Sequence, residues 1–114
     1  MIILDTHIWI WWNQDSPKLT SFQKEIIDFS RTNGMGISTI SLLEISRLVN
    51  KGRLVLPLPL NEWFSIALAE EGTLLVPITP AIAIESYSLP GEFHKDPADR
   101  IIVATARTYD CVLG

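Results

Sequence analysis

Short apolar runs alternate along this chain with longer stretches in which apolar side chains recur every three or four positions. Ile2-Ile3-Leu4 reads as a buried strand ending at Asp5, and a turn of helix is predicted from His7 to about Asn13, stopped by Asp15-Ser16-Pro17. Thr20 with Gln23 three residues on is a capping box. Phe22, Ile26 and Phe29 then follow at helical spacing and predict an amphipathic helix to about Arg31. After Asn33-Gly34, Met35 to Ser38 predicts a second strand. A helix from Thr39 or Ser41 places Leu42, Ile45 and Val49 on one face and stops at Gly52. Leu56-Pro57-Leu58-Pro59 is an extended connection, because proline suits neither a helix interior nor a central strand. Asn61 to Glu70 predicts a helix carrying Trp63, Ile66 and Leu68, and Thr73 to Ile78 a third strand. Thr79-Pro80 opens a helix to about Ser88, Leu89-Pro90-Gly91 turns the chain, and Asp96-Pro97 opens a last helix to about Thr108. Cys111 to Leu113 begins a fourth strand.

Strands alternating with helices imply an α/β fold with a mostly parallel central sheet of four short strands, covered on both faces. No repeat or linker interrupts it, so residues 1–114 read as a single domain. A chain of 114 residues that is 47% hydrophobic and 19% charged buries enough apolar surface to exclude intrinsic disorder. One cysteine excludes an intrachain disulfide framework and a Cys-rich zinc site. No signal peptide is legible before Asp5, and nothing reaches the roughly 18 apolar residues of a membrane span. The expectation is a cytoplasmic protein with no membrane association. Net charge −4 argues against holding nucleic acid by bulk charge. It leaves open an enzyme whose acids gather round a metal.

In parallel sheets ligands bind beyond the carboxyl ends of the strands, and that rule selects among the acids. Asp5 ends the first strand, Glu44 lies about one helical turn past the second, and Asp96 and Asp99 open the last helix. Carboxylates converging on one rim repel one another, and a hard divalent cation relieves the repulsion. Mg2+ takes oxygen ligands, keeps several waters and accepts phosphate oxygens, which equips such a rim for phosphodiester hydrolysis. Each acid also has a plainer role. Asp5 suits a turn or cap, and Asp96 an N-cap, with Asp99 favoured by the helix dipole. Glu44 is harder to dismiss, since a bare charge within Leu42-Leu43-Glu44-Ile45 is costly beside a core.

Ile3-Leu4-Asp5-Thr6-His7, Ser38-Thr39-Ile40-Ser41-Leu42-Leu43-Glu44 and Asp96-Pro97-Ala98-Asp99-Arg100-Ile101-Ile102-Val103-Ala104-Thr105-Ala106 resemble PIN-domain proteins of the VapC toxin type in order, spacing and flanking residues. The resemblance spans essentially the whole chain and implies a PIN-like three-layer α/β/α fold. It also implies a Mg2+- or Mn2+-dependent endoribonuclease that is silenced by a cognate antitoxin and forms a homodimer. Asp5, Glu44 and Asp99 match the family's catalytic metal ligands, and Asp96 an accessory metal-binding acid. Thr6 and Ser38 sit beside them as candidates for orienting metal-bound water. Relatives usually continue from the fourth strand into a Thr-x-Asp or Thr-x-Asn segment and a last strand, whereas this sequence ends at Gly114. The resulting expectation is a truncated last strand with an unpaired edge, a weakened metal site and impaired turnover.

Arg47 and Lys51, one turn apart on the Glu44 helix, and Arg100 are candidate contacts for an RNA backbone, with Arg53 and Lys95 as further members of basic patches. Solvated charge, or pairing of Glu44 with Arg47, is the plainer reading. Trp9, Trp11 and Trp12 are expected mainly in the core, with a partner interface and base stacking as the alternatives. His7 and His94 belong to no zinc-type cluster and suit surface or helix-start positions. Two other functions compete. An aspartate-nucleophile phosphatase of the haloacid dehalogenase type wants a second acid where His7 stands. A non-catalytic relative would keep only the antitoxin or dimer surface.

Overall fold

A computed structural model describes residues 1–90 and 96–114. His94, Lys95 and the Gly91 end of the predicted Leu89–Gly91 turn lie outside the described residues. The strands are β1 (Ile2–Ile3), β2 (Met35–Ser38), β3 (Thr73–Val76) and β4 (Val112–Leu113). The helices are α1 (Thr6–Asn13), α2 (Ser21–Ser30), α3 (Thr39–Asn50), α4 (Leu60–Ala69), α5 (Pro80–Glu85) and α6 (Pro97–Thr108), with one 3₁₀ turn at Arg31–Asn33. The strands lie in the order β3-β2-β1-β4 and every pair is parallel. The expected α/β architecture is therefore present.

The central strands β1 and β2 are buried on both faces, as parallel pairing favours, while β4 and the middle of β3 at the sheet edges are exposed. Ile2 and Leu4 of the first strand region, with Met35 and Ile37 of β2, point to one side. There they meet Trp9 and Ile10 of α1, Ile27 of α2, Ile45 of α3, and Trp63 and Ala67 of α4. Trp9 and Trp63 pack edge to face with ring centroids 5.3 Å apart, a favoured aromatic geometry. Ile3 and Val76 point to the other side, against Ile102 and Ala106 of α6. The two-residue period of the strands thus divides one apolar run between two cores.

Local chemistry sets the element ends. The Thr20 capping box forms, with Gln23 N–H donating to Thr20 Oγ1 at 3.1 Å and Thr20 N–H to Gln23 Oε1 at 2.9 Å. β3 stops at Val76, two residues short of the expected Ile78, because Pro77 has no N–H to continue the ladder. α5 ends at Glu85 rather than Ser88; the Ser86 and Ser88 hydroxyls turn back onto the carbonyls of Ala83 and Ile84. The apolar stripe of α2 also departs from expectation. Ile27 is its buried contact, while Phe22, Ile26 and Phe29 face outward, with Phe29 83% exposed. Polar contacts to the α1 region orient this helix instead: Trp12 Nε1 donates to Asp28 at 3.1 Å, and Lys24 pairs with Asp15.

Gly72 holds β3 in register. Its carbonyl accepts the Met35 N–H at 2.7 Å, its φ is +85°, and a Cβ there would stand 2.5 Å from the Arg31 carbonyl oxygen. Backbone strain of this kind costs roughly 1–3 kcal/mol, before the clash is added. Gly72→Ala is therefore expected to lower the urea midpoint by at least that equivalent, whereas Gly52→Ala, also at positive φ but with no atom within 4 Å, should cost less.

Candidate functional site

All four strands run in one direction, so the helices that follow β1 and β2, and the one that leads into β4, all have their N-termini at one rim. Each of these N-termini is capped in the same manner. Asp5 caps α1 by accepting the His7 N–H at 3.3 Å, Ser38 caps α3 from Ile40 N–H at 3.2 Å, and Asp96 caps α6 from Ala98 N–H at 3.0 Å. The plainer role of Asp5 and Asp96 is thus real. Each cap uses one carboxylate oxygen, Oδ2 of Asp5 and Oδ1 of Asp96, and leaves the other outside that bond.

Asp5 also sits where the strand order reverses. The chain proceeds from β1 to β2 and β3 on one side, then returns to place β4 on the other. In open parallel sheets this switch point is where ligand crevices form. The Asp5 N–H donates to the Gly114 carbonyl at 3.1 Å, and the Gly114 N–H to the Ile3 carbonyl at 2.8 Å, which ties the residue to β4.

Glu44 and Asp96 line one cavity of about 170 Å³ with Ile40, Leu43, Arg47, Pro97 and Ala98. Glu44 is half-buried and Asp96 exposed; Asp99 is half-buried in the first turn of α6. The structure therefore brings Glu44, Asp96 and Arg47 to one cavity, with Asp5 and Asp99 on neighbouring helix starts. It does not draw them into a closed cage: among the described residues no three acidic, histidine or cysteine groups cluster closely enough to hold an ion alone. The donor chemistry still suits Mg2+, a hard ion usually held by one or two carboxylates together with waters and substrate phosphate.

The other expected residues are placed as follows. Thr6 is fully buried, and its Oγ1 shares a 2.9 Å hydrogen bond with Ser41 Oγ, also fully buried. Ser38 is buried in its cap. Arg47 is exposed at the mouth of the Glu44 cavity, and no Glu44–Arg47 ion pair forms among the described residues. Lys51 caps the far end of α3, roughly 18 Å from the rim at 1.5 Å per residue. The Arg100 guanidinium lies over the Tyr87 ring at 5.1 Å. Sequence reasoning overlooked Ser41. Its signal was a small hydroxyl one turn before Glu44 inside an apolar stretch.

A PIN domain family model matches residues 2–113. The chain belongs to the PIN domain family. It is 33% identical over 105 residues to Ribonuclease VapC22 of Mycobacterium tuberculosis (strain ATCC 25618 / H37Rv), an alignment covering 92% of this chain and 78% of that protein. The fold is similar to that of a chain in a toxin-antitoxin complex from Klebsiella pneumoniae, with a TM-score of 0.66, 20% identity, and coverage of 99% of this chain and 83% of that one. No helix among the described residues of this PIN domain is long and apolar enough to cross a membrane.

The Thr6–Ser41 bond couples the helix start that carries Asp5 to the helix that carries Glu44. Thr6→Val is expected to leave the Ser41 hydroxyl buried and unpaired, at a cost of roughly 1–3 kcal/mol. Thr6→Val combined with Ser41→Ala should be less destabilised than the sum of the single changes, as measured by urea denaturation of all three variants.

Proposed function

We propose that this PIN domain is a metal-dependent endoribonuclease of the VapC toxin type, hydrolysing RNA phosphodiester bonds at the rim formed by α1, α3 and α6. The observation that carries the reading is Asp5, Asp96 and Asp99 at the starts of α1 and α6 with Glu44, in the second turn of α3, lining one cavity with Asp96, in a chain 33% identical to a ribonuclease. In this reading Asp5, Glu44 and Asp99 hold Mg2+ or Mn2+, with Asp96 as an accessory ligand. The bound ion supplies charge stabilisation on the phosphoryl oxygens and a lowered pKa for attacking water.

The chain's own groups position the reaction. The Ser38 and Asp96 caps fix the starts of α3 and α6, and Thr6 with Ser41 holds α1 against α3. Thr6 and Ser38 thereby keep the carboxylates, and water beside them, in place. Arg47 at the cavity mouth is suited to a phosphate, as are Arg100 beside Asp99 at the start of α6 and, at the far end of α3, Lys51 as a more distant backbone contact. The open spread of the acids supports an ion that is held jointly with substrate, and modest turnover follows from that. A cytoplasmic antitoxin partner and a homodimer belong to the same proposal. They are supported by the toxin-antitoxin assembly of the structural neighbour and by the outward-facing Phe22, Phe29, Ile84 and Tyr87.

Purified chain is expected to cleave single-stranded RNA with added Mg2+ or Mn2+, to stop on addition of chelator and to recover when metal is restored. Asp5→Asn, Glu44→Gln and Asp99→Asn should each lower the rate by about 100-fold or more, the scale on which loss of a charge-stabilising group acts. Asp96→Asn keeps a capping oxygen and should cost less. Cleavage that survives chelator, or that is unchanged in all three variants, would overturn the proposal. Absent cleavage with retained binding of a protein partner would replace it with the non-catalytic relative.

A further inference from the structure

A second cavity, of about 310 Å³, runs along α1 from its first turn to Gln14 and is closed on its other side by Leu48 and the segment 53–56. That volume is at the lower end for small-ligand sites, roughly 300–1,000 Å³. Its chemistry differs from that of the carboxylate rim. The half-buried Trp11 indole forms part of the wall, with the exposed His7 ring beside it at a centroid distance of 6.0 Å. Two cations, Lys18 and Arg53, line the same space, and Lys18 Nζ stands 5.9 Å from the centre of the Trp11 ring. No ion pair satisfies Lys18 or Arg53 among the described residues.

The three tryptophans of α1 therefore have three roles. Trp9 is buried against Trp63, and Trp12 is held between Asp28 and Arg31. Trp11 alone joins the wall of a cationic cavity. This cavity also adjoins the rim, because the backbone N–H of His7, one of its lining residues, donates to Asp5.

We propose that this cavity is a nucleobase subsite, taking one unpaired base of a single-stranded RNA against Trp11 and His7, with Arg53 and Lys18 on the adjoining phosphates. The proposal rests on the ribonuclease reading and specifies its substrate as RNA whose bases are unstacked near the cut. A flat aromatic face with flanking cations is what single-stranded nucleic acid uses, since every base offers a π-face and every linkage a charge. Bases in a duplex are not available to such a face. A peptide of carboxylates alone would engage the cations but leave the indole without a partner.

The test measures binding of a short single-stranded oligoribonucleotide and of a blunt RNA duplex of equal length to Asp5→Asn chain by fluorescence anisotropy. Trp11→Leu, which keeps an apolar side chain and removes the ring, is expected to weaken single-strand binding by roughly 5- to 100-fold, with Trp11→Phe recovering most of it. Arg53→Ala, at an exposed position, should reduce the salt dependence by about one phosphate contact. Circular dichroism checks that each variant is folded. In chain with Asp5 intact, Trp11→Leu should raise KM with little change in kcat.

Single-strand binding that is unaltered in both Trp11→Leu and Arg53→Ala would overturn the subsite. So would a duplex bound as well as the single strand with equal sensitivity to Trp11→Leu. Displacement of RNA by oligoglutamate at equal concentration would assign the cavity to a peptide instead. Parent chain that cleaves RNA while Trp11→Leu leaves KM unchanged sinks the subsite alone. Parent chain that neither cleaves nor binds RNA sinks the ribonuclease reading with it.

Discussion

Parallel strands cannot be joined by tight hairpins, so each must be followed by a chain that returns across the sheet before the next begins. That constraint governs everything described above. With β1, β2, β3 and β4 all pointing one way, α1 and α3 begin, and α6 begins its return, on the same edge. The positive ends of three helices are gathered there, where negative groups are favoured. Asp5 and Asp96 use that field directly as caps, and Ser38 does so with a neutral oxygen. The rim can therefore tolerate several acids before any cation arrives.

The two cores supply the rigidity that such short strands lack. A two-residue β1 is held by the burial of its side chains on both faces, with Ile2 turned toward α1 and α2 and Ile3 toward α6. A further bond, between Thr6 and Ser41, crosses from α1 to α3 in a region without solvent. It joins the two helices by a specific geometry that apolar contact alone does not impose.

Much of the fold was legible because its signals are local. The capping box at Thr20, Pro97 at the first turn of α6 and the β-to-α switches at Asp5 and Ser38 fall within a residue of expectation. The failures are equally physical. Helical spacing at Phe22, Ile26 and Phe29 identifies a stripe but not the direction it faces, and the direction was set by Asp28 and Lys24 of α2 meeting Trp12 and Asp15 of the α1 region. The end of β3 lay in plain view at Pro77, where a missing donor outweighs a favourable side-chain run. For the site, shared position along the sheet was readable, whereas the separations among the carboxylates were not. Ser41 was missed because a bond between residues 35 apart leaves no periodic trace.

Gly114 carries more than its size suggests. Its two backbone groups bridge Ile3 and Asp5, so the carboxylate-bearing residue is tied directly to the β4 side of the sheet. β4 is laddered to β1 at Val112 and Leu113, with Val112 71% exposed, and can open locally. Such local opening occurs with a free energy well below that of global unfolding. The geometry at Asp5 is thus coupled to the β1–β4 seam, and slow hydrogen exchange at the Asp5 amide would mark the molecules in which that seam is shut.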